Sequence, residues 1–201
     1  MNIKQSLTRI SVFLNIEPIS KIKDNQQEVE RISQEFDRKL PNELEEYIQI
    51  FAPSNDFYFD TVGNPMRLYG IHNLKKLQEG YNYNSRQQKP INGWADNLFM
   101  LADQGADPVV IDLDSNQMEI QRLIHGAGNW DSGEVIADNI GQFLLCSAAL
   151  HHAVNGFEED VIIDDEHGFC LAPRAAEWYF TNMKKWAGDY YQEWCTDFDN
   201  H

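Results

Sequence analysis

Leu98-Phe99-Met100-Leu101-Ala102-Asp103-Gln104-Gly105-Ala106-Asp107-Pro108-Val109-Val110-Ile111-Asp112-Leu113-Asp114 is the most informative segment of the chain. Two apolar runs, Leu98 to Ala102 and Val109 to Leu113, flank a connection from Gln104 to Pro108 that carries Gly, Ala, Asp and Pro. Short apolar runs around a glycine-containing turn predict an antiparallel hairpin. The second run leaves through Asp112 and Asp114, so the hairpin has an acidic rim. Nothing in it reads as a nucleophile, a phosphate loop or a metal cage, and it points to a binding protein more than to an enzyme.

Helical periods lie on both sides of the hairpin. Val29, Ile32, Phe36 and Leu40 recur at steps of 3, 4 and 4, so they share one helix face. Leu40-Pro41 restarts the chain, because proline is tolerated in a first turn where its missing N–H is not needed. Glu43, Glu45 and Glu46 then sit where the helix dipole favours anions, and Leu44, Tyr47, Ile48 and Phe51 make the buried face. Residues 1–25 form either a short helix through Leu7, Ile10, Phe13 and Leu14 or a partly ordered arm. Phe57-Tyr58-Phe59 and Arg67 to Ile71 read as extended, with a turn at Val62-Gly63-Asn64-Pro65. Leu74 to Leu77 reads as a short helical piece, and Gly80 to Asn92 as a polar surface loop.

After the hairpin, Glu119 to Ile124 is a candidate third strand, broken by Gly126-Ala127-Gly128. Gly133 to Ile136 leads into a helix capped by Asp138 or Asn139, with Ile140, Phe143, Leu144, Ser147 and Leu150 on its face and a stop at Asn155-Gly156. A last helix begins near Pro173. Ala176, Phe180, Met183, Ala187, Tyr190 and Trp194 recur at 4, 3, 4, 3 and 4, a seven-residue repeat flanked by Tyr179, Trp186 and Tyr191. Such a stripe is either core or an oligomer seam.

At 201 residues and 42% hydrophobic, the chain is long and apolar enough to fold without disulfides or a structural metal. No apolar run approaches the roughly 20 residues of a bilayer span, and the N-terminus lacks a signal-peptide pattern. The expectation is a cytoplasmic protein. Cys146, Cys170 and Cys195 are widely spaced with no CxxC, which suits buried reduced thiols. The formal net charge is -16, and it is segregated. Residues 1–90 hold 12 acids and 12 bases, residues 91–130 hold 6 and 1, and residues 131–201 hold 14 and 3. Nucleic-acid binding is disfavoured, since phosphate affinity needs clustered Lys and Arg. A basic protein partner is favoured by complementary fields.

Catalytic signatures are sparse. The Rossmann fingerprint, the Walker loop and the GxSxG elbow are absent from the sequence. His151, His152, His167 and Cys170 lie near Glu158, Glu159, Asp160, Asp164, Asp165 and Glu166, all metal-ligand types. Their spacing argues against a site, because adjacent helical histidines point about 100° apart and the acidic run lacks the EF-hand pattern. His72, His125 and His201 stand alone. Asp112 and Asp114 would share a strand face at period two. Trp94 and Trp130, with Tyr81 and Tyr83, fall in loop segments beside acids and are either interface anchors or core plugs.

Leu40-Pro41-Asn42-Glu43-Leu44-Glu45-Glu46-Tyr47-Ile48-Gln49-Ile50-Phe51, the strand around Leu68 and Tyr69, the turn Leu101 to Asp107 with its Val109 to Leu113 strand, and the helix opening Ile136 to Leu144 together resemble the SUKH superfamily. The resemblance covers residues 27–145, and the family's usual Gly-Gly-Asp turn is Gly105-Ala106-Asp107 here. It implies an α+β fold, an antiparallel sheet packed by helices, with 1–26 as an N-terminal arm or helix. Residues 146–201 form an acidic, aromatic-rich helical extension that the resemblance does not cover. It further implies an immunity-type protein that binds and neutralises a secreted polymorphic toxin, many of which are nucleases, with no cofactor, metal or catalytic residue. A nuclease must be basic to hold phosphate, so the expected partner surface is Trp94, Asp96, Asp103, Asp107, Asp112, Asp114 and Trp130. A non-toxin regulatory or scaffold module, and a metal-dependent hydrolase at 151–170, remain the alternatives. The chain is expected to be a monomer or homodimer, with no nucleic-acid or membrane partner.

Overall fold

A computed structural model describes residues 1–14, 25–157, 160–166 and 168–201. The hairpin at its centre is β5 (Leu98–Gln104) paired with β6 (Asp107–Asp112). The strands run further than the sequence suggests, and only Gly105 and Ala106 turn the chain. Both are left-handed, with φ of 60° and 80°. A two-residue turn with both φ positive has a twist that matches its strands, which is why it closes so tightly. The hairpin is extended on one side by β2 (Met66–Leu68) and β1 (Phe57–Phe59), and on the other by β7 (Ile120–Leu123) and β8 (Gly133–Ala137). The result is a six-stranded sheet, β1-β2-β5-β6-β7-β8, antiparallel throughout.

Helices cover one face of the sheet. They are α1 (Ile3–Phe13), α2 (Gln26–Phe36), α3 (Asn42–Ile50), α4 (Ile140–Asn155), α5 (Pro173–Trp186) and α6 (Tyr191–Cys195). The fold is therefore α+β. Asn2 and Gln5 cap α1 reciprocally, each side chain meeting the other's backbone N–H. The N-terminal helix of the sequence reading thus forms, and residues 15–24 lie outside the described residues. Val29, Ile32 and Phe36 are buried on α2, and Leu44, Tyr47 and Ile48 on α3, as their spacing requires. Arg31 of α2 pairs with Glu28 and Glu35 and donates to the carbonyls of Ile71 and Leu74. It thereby ties the helix to the chain leaving β2.

Helix α4 is the centre of the molecule. Asn139 caps it by accepting from the Gln142 amide at 2.9 Å, and residues 140–150 are all buried. It packs against the sheet, against α1 and against α5. Gly141 lets α1 come close: a Cβ there would lie 2.9 Å from the Asn2 carbonyl carbon and 3.0 Å from the Ser6 hydroxyl. Residue 145, where the sequence resemblance ends, falls inside this helix. Residues from segments 1–26, 27–145 and 146–201 share one hydrophobic cluster.

Several local readings change. Gly133 to Ala137 is a strand, because its backbone completes the ladder to β7 before the chain turns into α4. The helical piece is a 3₁₀ turn at Ile71–Asn73, ahead of Leu74 to Leu77. The polar loop contains a short pair, β3 (Tyr83–Asn84) with β4 (Lys89–Pro90). The acidic stretch forms a hairpin, β9 (Ile162–Asp165) with β10 (Gly168–Leu171). The final helix is interrupted: α5 stops at Trp186, Gly188 takes φ of 59°, and a 3₁₀ turn at Gly188–Tyr190 precedes α6. The face of α5 that is fully buried is Ala175, Tyr179 and Met183, whereas Ala176 and Phe180 are only half-buried. The seven-residue repeat does not describe one continuous seam, because the axis breaks before Tyr190. Two buried hydrogen bonds set the break. Tyr179 donates to the Trp194 carbonyl at 2.6 Å, and the Trp194 indole donates to Ile136 of β8 at 2.7 Å.

Ala106 carries a side chain where the turn favours glycine. Ala106→Gly is expected to raise stability by about 0.5–1 kcal/mol in urea titrations, and Gly105→Ala to lower it, since a Cβ would stand 2.5 Å from Asn64 Nδ2. Gly141→Ala should lower stability by about 1–3 kcal/mol through displacement of α1, read as a fall in the urea midpoint with an unchanged slope.

Candidate protein-binding site

Side chains of β1 alternate across the sheet. Phe57 and Phe59 point to α4, their rings 6.5 and 6.2 Å from His151. Tyr58 points the other way and is 50% exposed. Arg67 lies opposite Tyr58 on β2, and Asp103 lies opposite Arg67 on β5. The three side chains form a row across the face that the helices leave open.

Arg67 is the polar centre of that row. Its Nε and Nη2 donate to Asp56 at 2.8 and 2.6 Å, its guanidinium stands 3.8 Å from Asp103, and it lies over the Tyr69 ring at 4.9 Å. Asp56 also accepts from the Gly70 amide and from Asn73, each at 2.8 Å. Burial alone would raise the Asp56 carboxyl. Asn73, Gly70 and Arg67 outweigh it and hold the group below its ordinary value. Tyr69 donates to Asp103 at 2.7 Å, and Tyr81 bonds the same carboxylate. Burial and then this carboxylate push both phenols well above their ordinary value.

Tyr81 leads to the two tryptophans. Its ring lies 6.2 Å from Trp94 and 5.9 Å from Trp130, and the indoles meet edge-on at 5.5 Å. Both tryptophans are half-buried and packed on the core. They belong to a loop cover on the open sheet face, where Met100 and Val110 are buried.

The acids of the sequence reading are distributed differently from a single rim. Asp103 is 15% exposed and bonded within the cover. Asp107 faces the opposite side, beside Gln104, and accepts from the amide and ring of His125. Asp112 accepts from Asn97 and from the Asp114 amide. Asp114 lies past the end of β6, turned away from a shared strand face, and pairs with Arg38 at 2.7 Å. Asp96 is exposed. The fold thus gathers Trp94, Trp130 and Asp103 on the open sheet face, where Asp112 also lies at the other end of the hairpin, and it turns Asp107 to the helix side and leaves Asp114 beyond the strand end.

A second acidic surface lies elsewhere, at the edge formed by β8, the 3₁₀ turn and α6. Tyr190 donates to Asp138 at 2.9 Å. Burial, that bond, and the charges of Asp138, Glu119 and Asp189 push its phenol up to about 12. Among the described residues, Glu119, Asp138 and Asp189 make no ion pair. Sequence spacing could not show this, because the three acids meet only through the break between α5 and α6.

His151 and His152, two of the metal-ligand types between 151 and 170, are used structurally. His151 Nδ1 accepts from the Asp60 amide at 2.9 Å. His152 packs among Trp178, Phe13 and Phe157, with centroids at 4.6, 5.3 and 5.5 Å. Desolvation lowers both below the usual histidine value. Glu158, Glu159 and His167 lie outside the described residues. Among the described residues, no group of three or more His, Cys, Asp or Glu is placed to hold a metal ion, and no helix is long and apolar enough to cross a membrane.

Asp56 supplies a pH test. Its depressed carboxyl contributes stability that is present above its ordinary value of 3.8 and is lost as pH falls through the lower folded value. Asp56→Asn should cost about 2 kcal/mol at pH 7 and flatten the stability profile below about pH 4, as measured by urea unfolding across pH 2–6.

Comparison with known proteins completes this picture. No curated protein matches the chain. Residues 25–146 match the model of the SMI1/KNR4 family (SUKH-1), from the start of α2 through the first turns of α4 and across the whole six-stranded sheet. With more than half its length matched, and with the sheet and helices that the resemblance implied, the chain belongs to the SMI1/KNR4 family (SUKH-1).

Proposed function

We propose that this protein is an immunity-type binding protein that neutralises a cognate basic toxin, a nuclease above all, by direct contact. The observation that carries this reading is the unpaired acidic edge around Tyr190. Glu119, Asp138 and Asp189 collect there without a neutralising base among the described residues. Like charges left together destabilise a fold and are retained where a partner supplies the opposite sign. A nuclease carries that sign on the surface that holds phosphate. Tyr190 adds an aromatic body with a polar tip, a side chain suited to the centre of an interface.

The open sheet face contributes less charge. Arg67 offsets one of the two charges of Asp56 and Asp103 there, and Asp112 and Asp114 are also bonded within the fold. Charge steering is therefore assigned to the β8 edge, and shape recognition to the sheet face with Tyr58. The reading places no chemical step in the protein. Its work is occlusion of the partner's own site.

Capture of the tagged full chain from its native cells should hold a stoichiometric basic protein whose release rises steeply with salt. Asp138→Lys combined with Asp189→Lys should weaken that complex by about 10- to 100-fold and reduce its salt dependence. Recovery of only house-keeping proteins, or a complex indifferent to the double reversal, would overturn the reading.

A further inference from the structure

Between the helix-covered side of the sheet and α6 lies a recess of about 400 Å³ counting its open mouth, while its closed interior holds only about 10 Å³. Phe59, Met66, Leu150 and Trp194 supply apolar walls, and Gln104, Arg122, Glu193 and Asp197 supply the polar lining. Two buried oxygens in this lining have no hydrogen-bond partner, Ser147 Oγ and Glu193 Oε2. Ser147 is 1% exposed, so its hydroxyl is out of reach of bulk water. A buried oxygen without a donor is costly, at about 1–3 kcal/mol, and native folds rarely leave two on one cavity.

The charges around the recess fix what would satisfy them. Glu193 and Asp197 lie one helical turn apart in sequence, and Glu134 stands 3.5 Å from Arg122. Arg122 shares the recess with Glu193 and Asp197, and its guanidinium pairs with Glu134, which does not line it. A cation that donates several hydrogen bonds from the end of an apolar stem matches this lining. Lysine has that form, with three donors on a chain of methylenes that suits apolar walls.

We propose that this recess is an anchor site for a basic side chain, a lysine of the protein partner, whose ammonium would bond Glu193 and Ser147. The inference rests on the reading of a basic partner and specifies the residue class it presents. The closed interior is about the size of one water molecule, so seating an ammonium there requires the mouth to open by side-chain movement at Gln104 and Arg122. Arg122 is the internal competitor for the same carboxylates. The site therefore has a signed dependence on it: removing the guanidinium strengthens binding of an external amine.

The test uses the ¹⁵N-labelled full chain and two small probes, N-acetyl-lysine methylamide and its neutral counterpart N-acetyl-norleucine methylamide. The Trp194 indole N–H, bonded to Ile136, reports on the recess wall. The lysine probe should shift this resonance with millimolar affinity and the norleucine probe should not. Glu193→Gln and Ser147→Ala should each weaken the lysine probe by about threefold to tenfold, and Arg122→Gln should tighten it. Equal shifts from both probes, shifts confined to the Asp138–Asp189 edge, or a Glu193→Gln variant that binds like the parent would overturn the proposal and leave a water site only. A partner captured equally well by Glu193→Gln and the parent would likewise overturn the anchor site while leaving the basic-partner reading intact. A lysine probe that seats as described, in a chain that captures no basic protein, would instead refute the partner reading and keep the recess.

Discussion

Helix α4 must be covered on every side. Its residues from Ile140 to Leu150 are all buried, including Gln142 and Ser147, and a helix apolar all round needs neighbours all round. The sheet covers one side, α3 touches another, and α1 and α5 close the rest. The family match ends inside α4, at residue 146. The N-terminal helix and the C-terminal segment are therefore parts of the core that the matched region leaves open. Gly141 and Gln142 make the arrangement specific. Gly141 removes the one side chain that would hold α1 away. Gln142 receives the Asp138 amide and donates to the carbonyls of Trp186 and Ala187. It thereby satisfies the end of α5 at the point where the helix stops.

The sheet solves a different problem. Its central strands are apolar on both faces, as Met100 and Val110 on one side and Val109 and Ile111 on the other are all buried. Helices cover only one face. The other is covered by loops through Tyr69, Tyr81, Trp94 and Trp130, anchored by phenol hydrogen bonds to Asp103. An aromatic loop cover hides apolar strands without a second helix layer and leaves the end of the face, around Tyr58 and Arg67, accessible. The hairpin turn fits the same frame: the family's usual Gly-Gly-Asp has Ala106 at its second position here, yet φ stays at 80°. The strand twist imposes the backbone conformation even where the residue resists it.

What was legible in the sequence was whatever depended on nearest-neighbour chemistry. The spacing of Val29, Ile32 and Phe36 and of Leu44, Tyr47 and Ile48 marked two helix faces. The Gly105 turn marked the hairpin, and Asn139 marked the start of α4. What was not legible depended on long-range partners. Gly133 to Ala137 has no strong alternation and is a strand because β7 pairs with it. The break after Trp186 comes from Gly188 and from the pull of Tyr179 and Trp194 toward β8, set by contacts 15 and 58 residues apart. The acids were the least legible. A carboxylate written beside a strand looks free, whereas Asp103, Asp107, Asp112 and Asp114 each meet a donor brought by folding.

That last distinction governs how charge is to be read in such a chain. A net charge of -16 does not by itself define a binding surface, because a bonded carboxylate has already exchanged its hydration for an internal partner. Desolvating it again against a second partner breaks existing bonds, and the gain is small. An unpaired exposed carboxylate loses only water and gains the whole interaction. By this criterion the sheet face, despite its acids, is close to saturated around Arg67. At the edge around Tyr190 the phenol satisfies one oxygen of Asp138, while Glu119 and Asp189 make no ion pair among the described residues, and Glu193 shows a deficit within the fold, where its buried oxygen lacks a donor. Among the described residues, part of the unpaired negative charge thus gathers at β8, the 3₁₀ turn and α6. These are the elements brought together by the segment that follows the family match, so the C-terminal extension shapes the surface as well as closing the core.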